Sequence, residues 1–167
     1  MKLFSANIEN LRTLYISNLG KALDMEKKIT KALPDLIEKS TDSELASAFQ
    51  THLGETKGHV TKIESLLDRN AGETGPETCK VINALTTEAS DTIKDVTDAS
   101  IRDIALIGAA QQVEHHEIAV YGALRRWAEI LGLEEDSSVI KSIEEEEGHA
   151  DKLLTEIANR VNYKVAA

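Results

Sequence analysis

The residues best suited to chemistry lie at Val113-Glu114-His115-His116-Glu117-Ile118, inside a long stretch of helical apolar periodicity. Glu114 and Glu117 are three apart, so a helix makes them neighbours on one face. That face continues in apolar residues: Ile104, Ile107 and Ala110 before it, Ile118, Tyr121 and Leu124 after it. Carboxylates in a core stripe are expensive to bury unless they are paired or bind a metal. The same conflict recurs along the chain. Glu26 interrupts a stripe that includes Tyr15, Leu19, Leu23, Ile29 and Leu33; Glu55 and His59, four apart, run beside Phe49, Leu53 and Ile63; Glu147 and Asp151, four apart, lie on a stripe with Ile140, Ile143 and Leu154. Taken one at a time these are weak signals. A lone Glu on a helix is ordinarily solvated, and in the run Glu144–Glu147 at least one member must turn inward. His52, His115 and His116 read individually as surface or hydrogen-bonded residues, and Tyr121 and Trp127 as packing residues. The joint pattern is stronger, because acids recur at mid-stripe on every long helix. Converged on one centre, such acids would repel, and two divalent cations would relieve them; hard oxygen donors with a few imidazoles suit iron or manganese.

Four long helices are needed to bring these residues together. The first is expected over about Ser5 to Lys39, with Pro34 late enough to kink or shorten it. The second opens at the capping box Thr41-Asp42-Ser43-Glu44 and reaches about Asp68. Asn70 to Pro76 is the clearest loop, Thr74-Gly75-Pro76-Glu77 restarts a helix, and Cys79 to about Val96 forms a shorter helix with Val81, Leu85, Ala89 and Ile93 inward. The third long helix opens at Thr97–Ser100 and stops near Gly132. The fourth begins near Asp136–Ser138 and ends near Arg160, with Tyr163–Ala167 as a frayed tail. Helix with acid, then helix with acid plus a ligand-type residue four later, occurs twice: Glu26 with Glu55/His59, and Glu114/Glu117 with Glu147/Asp151.

The 167 residues suit one domain, 1–167, with a sizeable core, and 41% hydrophobic against 29% charged residues reads as globular. Only 4% are aromatic and two are proline, and long alternating β-branched runs are missing, so an all-α chain is expected. A net charge of −10 argues against nucleic acid and against an anionic membrane surface as partners. Cys79 is the single cysteine, so no internal disulfide is possible. The N-terminus has no signal-peptide pattern and no apolar run reaches membrane-spanning length; a cytoplasmic location is expected. No P-loop, GxGxxG, GxSxG or zinc-type Cys–His spacing is present.

Four segments carry a family resemblance: Met25-Glu26-Lys27-Lys28 with Lys31-Ala32-Leu33-Pro34; His52-Leu53-Gly54-Glu55-Thr56-Lys57-Gly58-His59-Val60; Val113 to Gly122; and Glu146-Glu147-Gly148-His149-Ala150-Asp151. Together, and in order over nearly the whole chain, they resemble the YciE/YciF-type ferritin-like family of bacterial stress-associated proteins. The resemblance implies a rubrerythrin-like four-helix bundle with a short extra helix in its long crossover, a homodimer, and a dimetal site. Carried over by position, Glu26, Glu55, Glu114, Glu117 and Glu147 would be its carboxylates, with His59 and Asp151 completing the shells. His59 follows Glu55 by four, where the ExxH pattern has three, and Glu146 with His149 is a rival register on the last helix. A single cysteine cannot form the four-thiolate iron site of rubrerythrin's C-terminal domain.

Three functions compete. One is an oxidoreductase whose dimetal centre reacts with O2 or peroxide. The second is a metal-binding protein without turnover. The third is a structural or interaction bundle with a vestigial site. Metal content separates the third from the others, and peroxide consumption separates the first two.

Overall fold

The structure, a computed structural model, describes residues 8–72 and 76–166, with side chains described as far as 163. Five helices follow in order: α1 Leu11–Lys39, α2 Ser43–Ala71, α3 Lys80–Asp95, α4 Ala99–Ile130 and α5 Glu134–Ala166. The described residues contain no strand, so the all-α expectation holds. The four long helices have 29, 29, 32 and 33 residues, which at ~1.5 Å per residue makes each about 45–50 Å long. α1 pairs with α2 and α4 with α5, while α3 lies in the crossover against α1 and α4. Each long helix turns an apolar stripe to a shared core, with Tyr15, Leu19, Met25, Leu45, Ile63, Leu106, Leu124, Ile140 and Ile143 fully enclosed.

Several boundaries differ from expectation, each for a local reason. α1 starts at Leu11 because Asn10 caps it, its side chain accepting from Thr13 N at 2.9 Å; the expected residues 5–7 lie outside the described residues. α1 passes through Pro34 to Lys39, since a proline there removes only one intrahelical bond. On α2 the cap is Asp42, which accepts from Glu44 N and Leu45 N. Thr41, the expected cap, instead donates its N–H (2.9 Å) and its hydroxyl (2.5 Å) to Asp103 of α4. α2 runs to Ala71 and ends at Gly72 with φ 67°. Pro76 to Cys79 is not helical, and the expected restart at Thr74-Gly75 lies outside the described residues. On α3, Leu85, Ala89 and Ile93 face the core as expected, but Val81 is half exposed and Ile82 takes the buried place in the first turn. α5 begins at Glu134, which places Asp136 in its first turn. There Asp136 is buried, accepting from the Tyr15 hydroxyl (3.0 Å) and from Asn70 Nδ2 (2.5 Å), so that it ties the end of α5 to α1 and α2. The helix then continues past Arg160 to Ala166.

The crossover is fastened to α1 by close contact. Glu77 N donates to Gly20 O at 3.0 Å, and Ser17 donates its hydroxyl to Glu77 at 2.8 Å. A Cβ at Gly20 would meet Glu77 at 3.3 Å, so glycine is what permits the approach. No helix among the described residues is long and apolar enough to cross a membrane.

Candidate metal centre

The core stripes of the four long helices carry acids and imidazoles to one level of the bundle. Among the described residues, two groups have ligand atoms within 4.8 Å of one another: Glu26, His59 and Glu147; and His52, Glu114, Glu117 and Glu147. All six residues are buried, with Glu26, His59, Glu117 and Glu147 at 0% exposure. Glu147 belongs to both groups, which is the placement of a carboxylate able to bridge two cations.

The sequence-derived set is brought together in part. Glu26, His59, Glu114, Glu117 and Glu147 converge. Glu55 and Asp151, expected to complete the shells, lie outside both groups. On α2 the buried positions at this level include His52, Leu53, Thr56, His59 and Ile63, but not Glu55. Glu55 is therefore on the flank, a third exposed, with Oε2 3.7 Å from His52 Nδ1. Asp151 faces α4, accepting from Gln111 Nε2 at 3.1 Å and lying 3.3 Å from His115 Nε2. The rival register is outside as well: His149 is exposed, and Glu146 meets the outer nitrogen of His59 at 2.6 Å. The run Glu144–Glu147 is thereby resolved residue by residue. Glu144 holds Arg125, Glu145 holds Lys141, Glu146 holds His59 and Lys62, and Glu147 alone enters the centre.

Two residues of the site are missed by sequence reasoning. His52 brings Nε2 to 3.3 Å from Glu114 Oε1. It is seven residues before His59, two helical turns, and that interval is the signal that places both rings on one face. Tyr121, fully buried, donates its hydroxyl to Glu26 Oε1; it continues the Glu114/Glu117 face one turn further on.

The electrostatics are those of a buried charge cluster. Burial, reinforced by Glu147 and the other acids, pushes the Glu117 carboxyl well above its usual range. Burial likewise raises Glu26, although His59 partly opposes it. Glu114 is pushed up to about 8, again mainly by burial, with the His52 charge acting against the shift. Burial opposes charge on both imidazoles but is outweighed. Glu55, Glu114 and Glu147 hold His52 up to about 9, and Glu147 and Glu26 hold His59 up to about 10. The Tyr121 phenol is driven well above its usual value by burial and by Glu26.

These residues fit a pair of divalent cations. Glu26 Oε2, Glu114 Oε2, both oxygens of Glu117 and of Glu147, both nitrogens of His52 and Nδ1 of His59 are buried without an aligned hydrogen bond. His59 Nδ1 lies 2.9 Å from Glu147 Oε1 and 3.6 Å from Glu26 Oε1, at ion-pair distance but out of hydrogen-bond alignment. Orphaned polar atoms of this kind are costly. Four carboxylates and two neutral imidazoles also balance two doubly charged ions with no charge left over, and oxygen with imidazole donors suits such ions.

A bundle of four long helices with a crossover helix and a buried carboxylate–imidazole cluster defines a ferritin-like protein with a candidate metal site. The chain belongs to the family described as a domain of unknown function (DUF892), whose model matches residues 10–166. It is 35% identical over 160 residues to protein YciF of Escherichia coli (strain K12), covering 95% of this chain and 96% of that one. The crystal structure of the E. coli stress protein YciF superposes with a TM-score of 0.89 at 33% identity, over 93% of this chain and 99% of that chain. YcfI of Rhodopseudomonas palustris gives 0.88 at 32% identity, over 92% and 98%. The resemblance noted from the four segments is thus shown, in family and in fold.

Proposed function

We propose that this single-domain chain is a dimetal carboxylate protein of the stress response, holding two iron or manganese ions and reacting with dioxygen or peroxide. The observation that carries the reading is the buried set of unpartnered ligand atoms arranged as two groups sharing Glu147. Glu26, His59 and Glu147 would hold one ion, and His52, Glu114, Glu117 and Glu147 the other. Such ions supply redox equivalents and Lewis acidity to a small oxidant. The chain's own residues supply the rest. The apolar residues around the centre bury it, and the Tyr121 hydroxyl holds a proton at Glu26 Oε1, within reach of chemistry at that end. The link to stress rests on the description of the E. coli relative as a stress protein.

The close enclosure of all six residues favours a second reading, cation binding without turnover. Metal analysis of protein purified without chelator tests the dimetal reading, which expects two ions per chain. Peroxide consumption by the loaded protein then separates the two readings. We also propose that the chain works as a homodimer in the cytoplasm; sedimentation giving one species near 18.3 kDa would count against the dimer.

A further inference from the structure

The two ends of the centre are built differently, and the difference lies outside the ligand groups. At one end the His59 ring is gripped on both sides. Nδ1 points to Glu147 and Glu26, while Nε2 meets Glu146 at 2.6 Å. Glu146 is itself held by Lys62, at 3.1 and 3.2 Å. Adjacent glutamates on α5 thus address opposite nitrogens of one imidazole. An imidazole that donates Nε2–H to a carboxylate presents a lone pair at Nδ1 in a fixed direction, and such outer partners commonly change metal affinity by about 10–100-fold. At the other end His52 has no comparable grip, since Glu55 is 3.7 Å from Nδ1 and neither ring nitrogen has an aligned hydrogen bond. Two cavities reach the centre at this second end, whereas a larger one of about 370 Å³ between α1, α3 and α4 is lined by no residue of either ligand group. One of about 90 Å³ between α2 and α5, lined in part by Glu55 and His149, reaches His52 and Glu114. A smaller one of about 30 Å³, mostly apolar, reaches the same two residues from the α1, α3 and α4 side.

Resting on the dimetal reading, we infer that Glu146 is a positioning residue that makes the two metal positions inequivalent: a tight one at Glu26–His59–Glu147, and an exchangeable one at His52–Glu114 that divalent cations enter and leave through the cavity between α2 and α5. The two cavities are small, so that end admits only cations and ligands of a few atoms. Glu55 and His149, at the wall of the cavity between α2 and α5, offer a passing cation polar donors before it reaches His52.

The test uses the full chain and zinc as a redox-silent divalent probe, titrated against a competing chelator. Wild type is expected to take up two ions per chain in two resolved steps. Glu146→Ala should weaken the tighter step by about 10–100-fold and leave the weaker one unchanged. Glu146→Gln, which keeps an acceptor oxygen, should recover most of the loss. Glu145→Ala, at an exposed pair with Lys141, should change neither step. His52→Gln should remove the weaker step alone. In the zinc-loaded protein, nitrogen NMR of His59 should show the proton on Nε2. Two equal steps, unchanged binding by Glu146→Ala, or a proton on Nδ1 would overturn the inference while leaving the dimetal reading intact; a wild type that binds no zinc, iron or manganese would end both.

Discussion

The metal-free protein should lose stability as pH rises from about 6 to 8. Glu114 titrates near 8 in the folded chain, against an ordinary glutamate value of about 4.3. Across that window the folded chain keeps a proton that the unfolded chain has released. His52 and His59, held up to about 9 and 10, have the same sign from about 6.5 upward. A group raised in the folded state contributes stability that is complete below its unfolded value and is lost as pH climbs through its folded value. Glu55 and Glu146, shifted downward by their partners, act only on the acid side and leave the window flat. Glu114 alone retains at most one proton, a slope of about 1.4 kcal/mol per pH unit, and the two imidazoles add to it as pH passes their unfolded value, so two units cost at least roughly 3 kcal/mol. At ~2–4 °C per kcal/mol for a chain of this size, the midpoint should fall by at least about 6 °C, and by roughly 12 °C at the upper conversion. Thermal melts followed by far-UV circular dichroism, with chelator at three pH values, measure this. Glu114→Gln should shallow the slope. Divalent metal should remove it, because bound ions displace the same protons. A chelated protein that is as stable or more stable at pH 8 than at pH 6 would refute the electrostatic account of the centre.

Glu147→Ala should lose both ions while Glu55→Ala and Asp151→Ala keep two per chain, because only Glu147 stands in both groups; elemental analysis decides. Asp103→Ala should destabilise the fold by roughly 2–4 kcal/mol, read from urea unfolding. It strips the Thr41 and Asp42 amides of their buried acceptor. Gly132→Ala should cost about 1 kcal/mol, a small drop in melting temperature, since φ there is 70°.

The fold was legible because it is written in local terms. Acid-interrupted stripes of period 3.6, the stop at Gly132 and the cap before α4 are short-range signals. What the sequence misplaced depends on partners far along the chain. Thr41 looks like a cap until Asp103, 62 residues away, takes its hydrogen bonds. Within the site, Glu114 with Glu117 was readable because both fall on one unambiguous stripe. Glu55 and His59 also share a face, but spacing cannot say which flank of α2 turns inward. That is fixed by Phe49, Thr56 and Ile63, which bury the His52–His59 line and leave Glu55 at the edge. Asp151 was a similar case, drawn outward by Gln111 and His115 on α4.

The sorting of charge between the two helical pairs bears on the order of assembly. Glu26, His52 and His59 come from α1 and α2, whereas Glu114, Glu117 and Glu147 all come from α4 and α5. Each pair is a local hairpin with low sequence separation, the kind of unit that forms fast. The second hairpin, closing alone, forces three carboxylates together with no cation among them. The first brings two imidazoles to a single acid and closes without that opposition. Refolding should therefore run through a formed α1–α2 hairpin onto which α4–α5 condenses. Stopped-flow refolding should show a docking phase that quickens when divalent metal is present or the pH is lowered, and a centre that carries no such charge would leave that phase unmoved.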